Sequence, residues 1–300
     1  RKGNAAGHPF NKHKYEKNIS SDLRTAKGIG LTNYYENFRS FMQQRKDGQP
    51  FYFWYGATEP HRVYEKGSWK RNGKSLDQVD VPGFLPDSEE VRGDMLDYAV
   101  EIEWADSHLS KMLEYLDSIG ELNNTIVIVT ADNGMPFPRA KANCFEYGVH
   151  VPFAVSYPKG FPGKRRVDDP ISFVDIAPTI LEIAGVKPDG MLPISGRSFM
   201  NILKSKKEGI VDQSKKYVYM GRERHSSSRW QNLGYPQRAV RNQDYLLIWN
   251  LRPERWPAGA PQMLNKKTGE LCPCTESVKM VPSIPIGHLL MWMMHLLRRF

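Results

Sequence analysis

The sequence predicts an α/β fold, a mostly parallel sheet flanked by helices, followed by a smaller C-terminal antiparallel α+β domain. Three observations carry this. Two short apolar runs, Pro50–Gly56 and Thr125–Thr130, read as buried strands, and a long stretch of helical periodicity separates them. After about Lys206 the alternation changes to short strands divided by turn residues. Strand, helix and strand in that order form a crossover unit, whose strands run parallel. The boundaries that follow are 1–205 for the α/β domain and 206–300 for the smaller subdomain.

Taken in order, Pro-Phe-Tyr-Phe-Trp-Tyr-Gly from Pro50 is apolar on successive residues, as in a strand covered on both faces. Asp87, with Glu90 three residues on, can cap a helix in which Val91, Met95, Tyr98, Ile102, Leu109, Met112, Leu113 and Leu116 recur at helical spacing. Gly120 is a stop signal, and Thr125-Ile-Val-Ile-Val-Thr130 is the second strand. Val151–Ser156 reads as a further strand. Asp175–Ala184 reads as a helix capped by Asp175, with Pro178 in its first turn and Gly185 beyond its end. Lys216–Met220, Arg238–Arg241 and Tyr245–Trp249 are short strands, the last two joined through Asn242-Gln243-Asp244 as a hairpin. Beyond Pro257 the pattern weakens, and the 263–300 tail reads as irregular or foreign to the fold.

With 300 residues, 40% of them hydrophobic, the chain can bury a sizeable core, which argues against disorder. The net charge of +9 would suit an anionic partner, but much of the excess sits at the ends, in Arg1, Lys2, Lys12, Lys14, Lys17, Arg298 and Arg299, where solvated tails are the commoner explanation. The basic residues form no stripe beside a recognition motif, so a nucleic-acid-binding module is the weakest class. Cys144, Cys272 and Cys274 are three in number with no C-x-x-C spacing, which supports neither a disulfide framework nor a zinc site. The most apolar stretch, Ile284–Leu297, is interrupted by Gly287, His288 and His295 and falls short of the about 20 residues that span a bilayer. Sequons at Asn18 and Asn123 matter only in a eukaryotic secretory protein.

The residues with chemical potential cluster after the strands. Asp132 and Asn133 follow Thr125–Thr130 directly, where open α/β sheets place ligands, and offer hard oxygen donors to a cation such as Ca2+ or Mg2+. The bland alternative is an Asn-Gly turn. His61, shortly after the first strand, can donate a hydrogen bond or a proton, or can be a surface-loop histidine. Lys141 can neutralise an anion or can be a solvated loop lysine.

In this order, Glu-Pro-His-Arg (59–62), Asn-Asn-Thr-Ile-Val-Ile-Val-Thr-Ala-Asp-Asn-Gly (123–134), Lys-x4-Glu-x-Gly-x3-Pro (from Lys141) and Val-Asp-Ile-Ala-Pro-Thr-Ile-Leu (174–181) resemble the sulfatase family of the alkaline-phosphatase-like superfamily. The resemblance spans roughly Pro50–Leu251. The phrases Glu-Pro-His-Arg (59–62), Asp-Asn-Gly-Met-Pro-Phe-Pro (132–138), Gly-Arg-Ser-Phe (196–199) and Gly-Tyr-Pro-Gln-Arg-Ala-Val (234–240) resemble its heparan N-sulfatase (sulfamidase) branch. That resemblance implies a Ca2+-dependent hydrolase releasing sulfate from a sulfated sugar, N-sulfoglucosamine of heparan sulfate above all. It implies Asp132 and Asn133 as metal ligands, His61 at the sulfo group or leaving atom, and Lys141 on the sulfo oxygens. It also implies a periplasmic, lysosomal or secreted protein.

Family members use a formylglycine nucleophile made from a C/S-x-P/A-x-R motif, and the sequence contains none. Cys144, Cys272 and Cys274 lack the arginine, and Ser283-Ile-Pro-Ile-Gly has the proline alone. The nucleophile and the remaining acidic metal ligands are therefore expected upstream of Arg1, and the chain as it stands is expected to be inactive. A nucleophile-free remnant is one alternative. A phosphatase or phosphodiesterase of the same superfamily is another and needs an upstream Ser or Thr. In the smaller domain, Glu223, His225, Arg229 and Arg238 are candidate substrate contacts, since an arginine fork suits sugar carboxylates and sulfates. Trp230, Tyr235, Trp249 and Trp256 can stack on a sugar ring or fill the core.

Overall fold

The computed structural model describes residues 17–224 and 233–255. His225, Arg229, Trp230, Trp256, Cys272, Cys274 and the 263–300 tail lie outside them. The chain divides after Leu122 into two compact units.

The first unit is helical. α1 (Tyr34–Gln43) is capped by Asn33, whose side chain accepts from the Glu36 amide at 3.1 Å. The four-residue α2 (Ser68–Arg71) precedes α3 (Glu89–Ser118), a helix of 30 residues. Its cap is Ser88, one residue later than the sequence suggested, and Ser88 accepts from the Val91 amide at 3.4 Å. Asp87 instead pairs with Arg92. α1 and α3 bury Tyr34, Phe38, Met42, Met112 and Leu116 against each other.

The run from Pro50 forms no strand. It is extended chain in which Phe51, Phe53 and Tyr55 pack on that core while Tyr52 and Trp54 are 74% and 71% exposed. Continuous apolarity suggested cover on both faces, whereas the alternation of an extended backbone puts only every second ring inside.

In the second unit, β1 (Val127–Thr130) pairs with β2 (Phe153–Ser156) in antiparallel register, Val127 opposite Ser156 and Thr130 opposite Phe153. The expectation of a mostly parallel sheet is therefore overturned. The physical reason is the connection from Ala131 to Pro152, whose only helix is the four-residue α4 (Glu146–Val149). A parallel return needs a crossover that carries the chain back along the strand. This loop turns on itself, so the chain comes back reversed. α5 (Ile176–Ala184) and α6 (Met200–Lys204) cover the β1–β2 pair, with Phe199, Met200, Ile202 and Leu203 packed against Phe153, Val155, Ile176 and Ile183. The fold is α/β with helices on a sheet, and the sheet is antiparallel.

Asp175 stands at the start of α5 but does not cap it with its side chain. Its buried carboxylate accepts from the Ser172 amide at 2.8 Å and the Arg197 amide at 2.9 Å and pairs with Lys215. The chain at Gly196 consequently runs so close to Val174 that a Cβ there would lie 1.9 Å from the Val174 carbonyl oxygen. The three-stranded sheet β3 (Val218–Arg222), β4 (Gln237–Arg241) and β5 (Leu246–Asn250) is antiparallel throughout, as the spacing predicts. Its hairpin turn is held by the Asn242 side chain, which accepts from the amides of Asp244 at 2.9 Å and Tyr245 at 2.7 Å.

A buried acid marks α3. Glu101 is 1% exposed, and burial pushes its carboxyl up to about 8. The unfolded chain would ionise it near its ordinary value, so stability should fall as pH rises from about 5 to about 8. Replacing it by glutamine, Glu101→Gln, should raise the Tm at pH 8 and leave it nearly unchanged at pH 5, which thermal melts at the two pH values will check. Equal shifts at both would contradict a neutral buried carboxyl.

Candidate active site

The site begins where β1 ends. Gly134 donates its amide to the Gly148 carbonyl at 3.0 Å, bringing the two ends of the loop together. A Cβ at Gly134 would lie 1.7 Å from the Tyr147 carbonyl oxygen, and one at Gly148 would lie 2.3 Å from that of Ala140. Only glycine fits either place, which is the physical content of Asp-Asn-Gly and of the glycine in Lys-x4-Glu-x-Gly. Between them the Lys141 amide donates to Met135 at 3.0 Å, and Ala140 donates to Phe137 at 3.2 Å. Arg139 and Ala142 take positive φ, 60° and 66°, on either side of Lys141. Met135, Phe137 and Ala140 are buried, so an apolar floor carries the polar rim.

Asp132 and Asn133 lie immediately before the hydrogen-bonded closure of this loop, and Lys141 lies within it. Asp132 is exposed, and Asn133 and Lys141 are half-buried. The Asn133 amide nitrogen donates to the Gly134 carbonyl at 2.8 Å, which fixes the orientation of the amide and leaves Oδ1 as its remaining polar atom. A carboxylate and an amide oxygen on adjacent residues are the hard donors that Ca2+ takes. They supply part of its about six to eight oxygens. Among the described residues no group of three or more His, Cys, Asp or Glu side chains gathers to hold a metal.

His61 belongs to the first unit. Its exposed ring places Nδ1 2.7 Å from the Arg62 carbonyl. A carbonyl only accepts, so in that bond Nδ1 carries a proton, and Nε2 is the ring nitrogen left to other partners. The neighbours of His61 are structural. The buried Glu59 carboxylate accepts from the Gly30 amide and the Tyr34 hydroxyl, both at 2.8 Å. Arg62 grips Asp94 through two bonds of 2.8 and 2.5 Å. In Glu-Pro-His-Arg, then, the acid and the arginine hold the turn while the histidine faces solvent.

Glu223, just past the end of β3, and Arg238 of β4 pair with each other, both exposed. Tyr235 is buried, and the Arg222 guanidinium lies over its ring.

Glu146 and Arg241 were not singled out from the sequence. Glu146 accepts from Arg241 of β4 at 2.9 Å and from His150 at 2.8 Å. Arg222 of β3 reaches the Asn143 side chain at 3.4 Å. The loop carrying Lys141 is thus tied to two strands of the second sheet. Glu146 does lie within the Lys-x4-Glu-x-Gly phrase, which is a signal, but nothing in the sequence marks Arg241 as its partner. Cys144 is buried in the same loop, and burial raises its thiol, so it is a packing residue rather than a nucleophile.

The His150 hydrogen bond and then Arg241 hold the Glu146 carboxyl down to about 2 against the opposing effect of burial. A depressed folded value contributes stability above the ordinary glutamate range and loses it as pH falls towards 2. The loss expected between about pH 5 and 2 is on the order of 2 kcal/mol. Acid titration of stability in Glu146→Gln should show a flatter arm over that window, and an unchanged arm would mean that the pair is already broken.

Comparison with known proteins gives the chain a family. Residues 4–186 match the family model described as Sulfatase, and residues 140–257 match that of the N-sulphoglucosamine sulphohydrolase C-terminal region. An ulvan-active sulfatase of Formosa agariphila is 26% identical over 71% of this chain and 39% of its own length. The human N-sulphoglucosamine sulphohydrolase is 27% identical over 71% of this chain and 46% of its own length. The chain thus spans less than half of these relatives. The solved structure of Bacteroides fragilis yidJ covers 74% of this chain and 51% of its own at a TM-score of 0.57 and 17% identity, a likeness of fold. With a single family model covering more than half of its residues, this chain belongs to the sulfatase family.

Proposed function

We propose that this chain carries the sulfo-group site of a hydrolase that releases sulfate from a sulfated sugar, with N-sulfoglucosamine as the favoured substrate. The observation that supports it most is the closed loop after β1, which carries a lysine within it and two oxygen donors immediately before it. Similarity to the N-sulphoglucosamine sulphohydrolase C-terminal model over 140–257 points the same way.

In this reading Asp132 and Asn133 contribute oxygen ligands to a calcium ion, which would supply charge stabilisation at the sulfo oxygens. Lys141 neutralises charge on the same oxygens, and the apolar floor of Met135 and Phe137 strengthens that attraction by excluding water. His61, with Nδ1 committed to the Arg62 carbonyl, presents Nε2 to hold or deliver a proton at the leaving nitrogen or oxygen. A periplasmic, lysosomal or extracellular setting suits an enzyme of sulfated-glycan breakdown.

One observation favours a second reading. The 300 residues contain no C/S-x-P/A-x-R motif to provide a formylglycine. By itself the chain would then bind the sulfated sugar without cleaving it.

Sulfate release from N-sulfoglucosamine, measured beside binding of the same sugar, separates the two. Release by the chain supports hydrolysis, and Lys141→Ala should then lower kcat about 10²- to 10³-fold at unchanged Tm. Binding that Lys141→Ala abolishes, with no release, supports the second reading. Neither release nor binding removes both, and full activity in Lys141→Ala removes Lys141 from the site.

A further inference from the structure

The turn that carries His61 is fastened to its unit by hydrogen bonds on both sides of the histidine. Glu59 accepts from the Gly30 amide at 2.8 Å, and Arg62 pairs with Asp94 of α3 and lies over the Tyr64 ring at 4.6 Å. The Tyr64 hydroxyl donates back to the Pro60 carbonyl at 2.8 Å. One further contact is of another kind. A Cβ on Gly28 would lie 2.5 Å from the Val63 carbonyl oxygen and 2.7 Å from Oε1 of Glu101. Three segments, the 24–30 loop, the His61 turn and α3, therefore meet at the Glu101 carboxyl with no room for even a methyl group between them. Glu101 is 1% exposed, and among the described residues its Oε1 has no hydrogen-bond partner.

The surroundings of that carboxyl do not suit a charge. Glu59 faces it from the turn and Asp97 from the preceding turn of α3, and both act against its ionisation. Asp97 is itself committed, accepting from the Gly67 amide at 2.8 Å, the Ser68 hydroxyl at 2.7 Å and the Trp69 amide at 2.9 Å. Arg62 acts the other way, but its guanidinium is bound to Asp94 through two bonds of 2.8 and 2.5 Å. The Tyr64 phenol lies in the same group of buried side chains and brings no positive charge. Burial first and Glu59 second push the Glu101 carboxyl up to about 8. A carboxylate here would be shut in beside the Val63 carbonyl without a donor for Oε1, so close packing of the three segments requires the proton.

We infer that Glu101 is a proton-dependent latch for the His61 turn: while it keeps its proton, the 24–30 loop and Val63 close over α3, and when the proton leaves, loop and turn open together. The latch gives the proposed site a regulation, and it rests on the hydrolytic reading for its consequence at His61. Acid pH then holds His61 in place and alkaline pH releases it. In the open form the carboxyl would ionise near the ordinary glutamate value, so closure weakens about tenfold per pH unit from about 5 to about 8 and no further beyond that.

Hydrogen exchange of the full chain, read by mass spectrometry and corrected for the intrinsic pH dependence of amide exchange, tests the latch. The Gly30 amide donates to Glu59 and the His61 amide to the Thr58 carbonyl at 2.9 Å, so both report opening. Protection of peptides spanning 24–30 and 58–65 should fall on the order of 50-fold between pH 5.5 and pH 7.5, while α1 and the β1–β2 pair keep theirs. In Glu101→Gln, which cannot ionise, protection of the same peptides should be equal at the two pH values. Glu101→Met, apolar and of similar length, carries the same expectation if the glutamine variant does not fold. Unchanged protection in the wild type, or an equal fall in both variants, overturns the latch. So does a fall shared by α1, since Glu101 would then govern the stability of the whole unit rather than one turn. Opening as expected, with sugar binding and turnover unchanged in His61→Ala, keeps the latch and removes His61 from the site. A latch that fails leaves the site standing, because Lys141→Ala decides that reading by itself.

Discussion

The second unit depends on one close approach, the crossing of Gly134 and Gly148. Their backbones meet through a 3.0 Å hydrogen bond with no room for a side chain on either. Because the chain closes there, the loop after β1 returns directly into β2 and the pair becomes antiparallel. The same closure holds Lys141, whose amide donates to the Met135 carbonyl at 3.0 Å, in a loop that Asn133 immediately precedes. Strand direction and the shape of this loop therefore share a single steric cause.

Around that crossing the supports are electrostatic and come from distant sequence. Arg241 on Glu146 and Arg222 on Asn143 bind the loop to the three-stranded sheet. The Glu146 carboxylate is largely sheltered, so its attraction to Arg241 is less screened than that of a surface pair. The second sheet has two roles in consequence: strand ends of β3 and β4 steady the loop, and its outer face presents aromatic rings to solvent. Asp175 repeats the principle elsewhere in the unit, fastening Arg197 and Lys215 to the start of α5.

The family phrases divide, on this structure, into residues that shape and residues that can react. In Glu-Pro-His-Arg, Glu59 and Arg62 are buried partners and only His61 faces outward. In Gly-Arg-Ser-Phe, Gly196 allows a close approach and Phe199 fills the core. Several phrases in fixed order identify a family so well because most of their residues answer to packing, which tolerates few substitutes.

Read alone, the sequence determined α3 and α5, the short strands of the second sheet and the position of Asp132, Asn133 and Lys141 just past a strand, and left α1 and α6 unmarked. Those are local properties, set by periodicity, turn chemistry and glycine placement within a few residues. It also carried the family in the order of its motifs. Tertiary structure alone decided strand direction, since apolar runs such as Thr125–Thr130 and Val151–Ser156 look the same whichever way they pair. It alone decided that Tyr52 and Trp54 point outward, that Glu223 and Arg238 bind each other, and that Arg241 holds Glu146. The reason is common to all of these: each depends on which residues the folded chain brings together from far apart, and sequence periodicity records only what lies along one element.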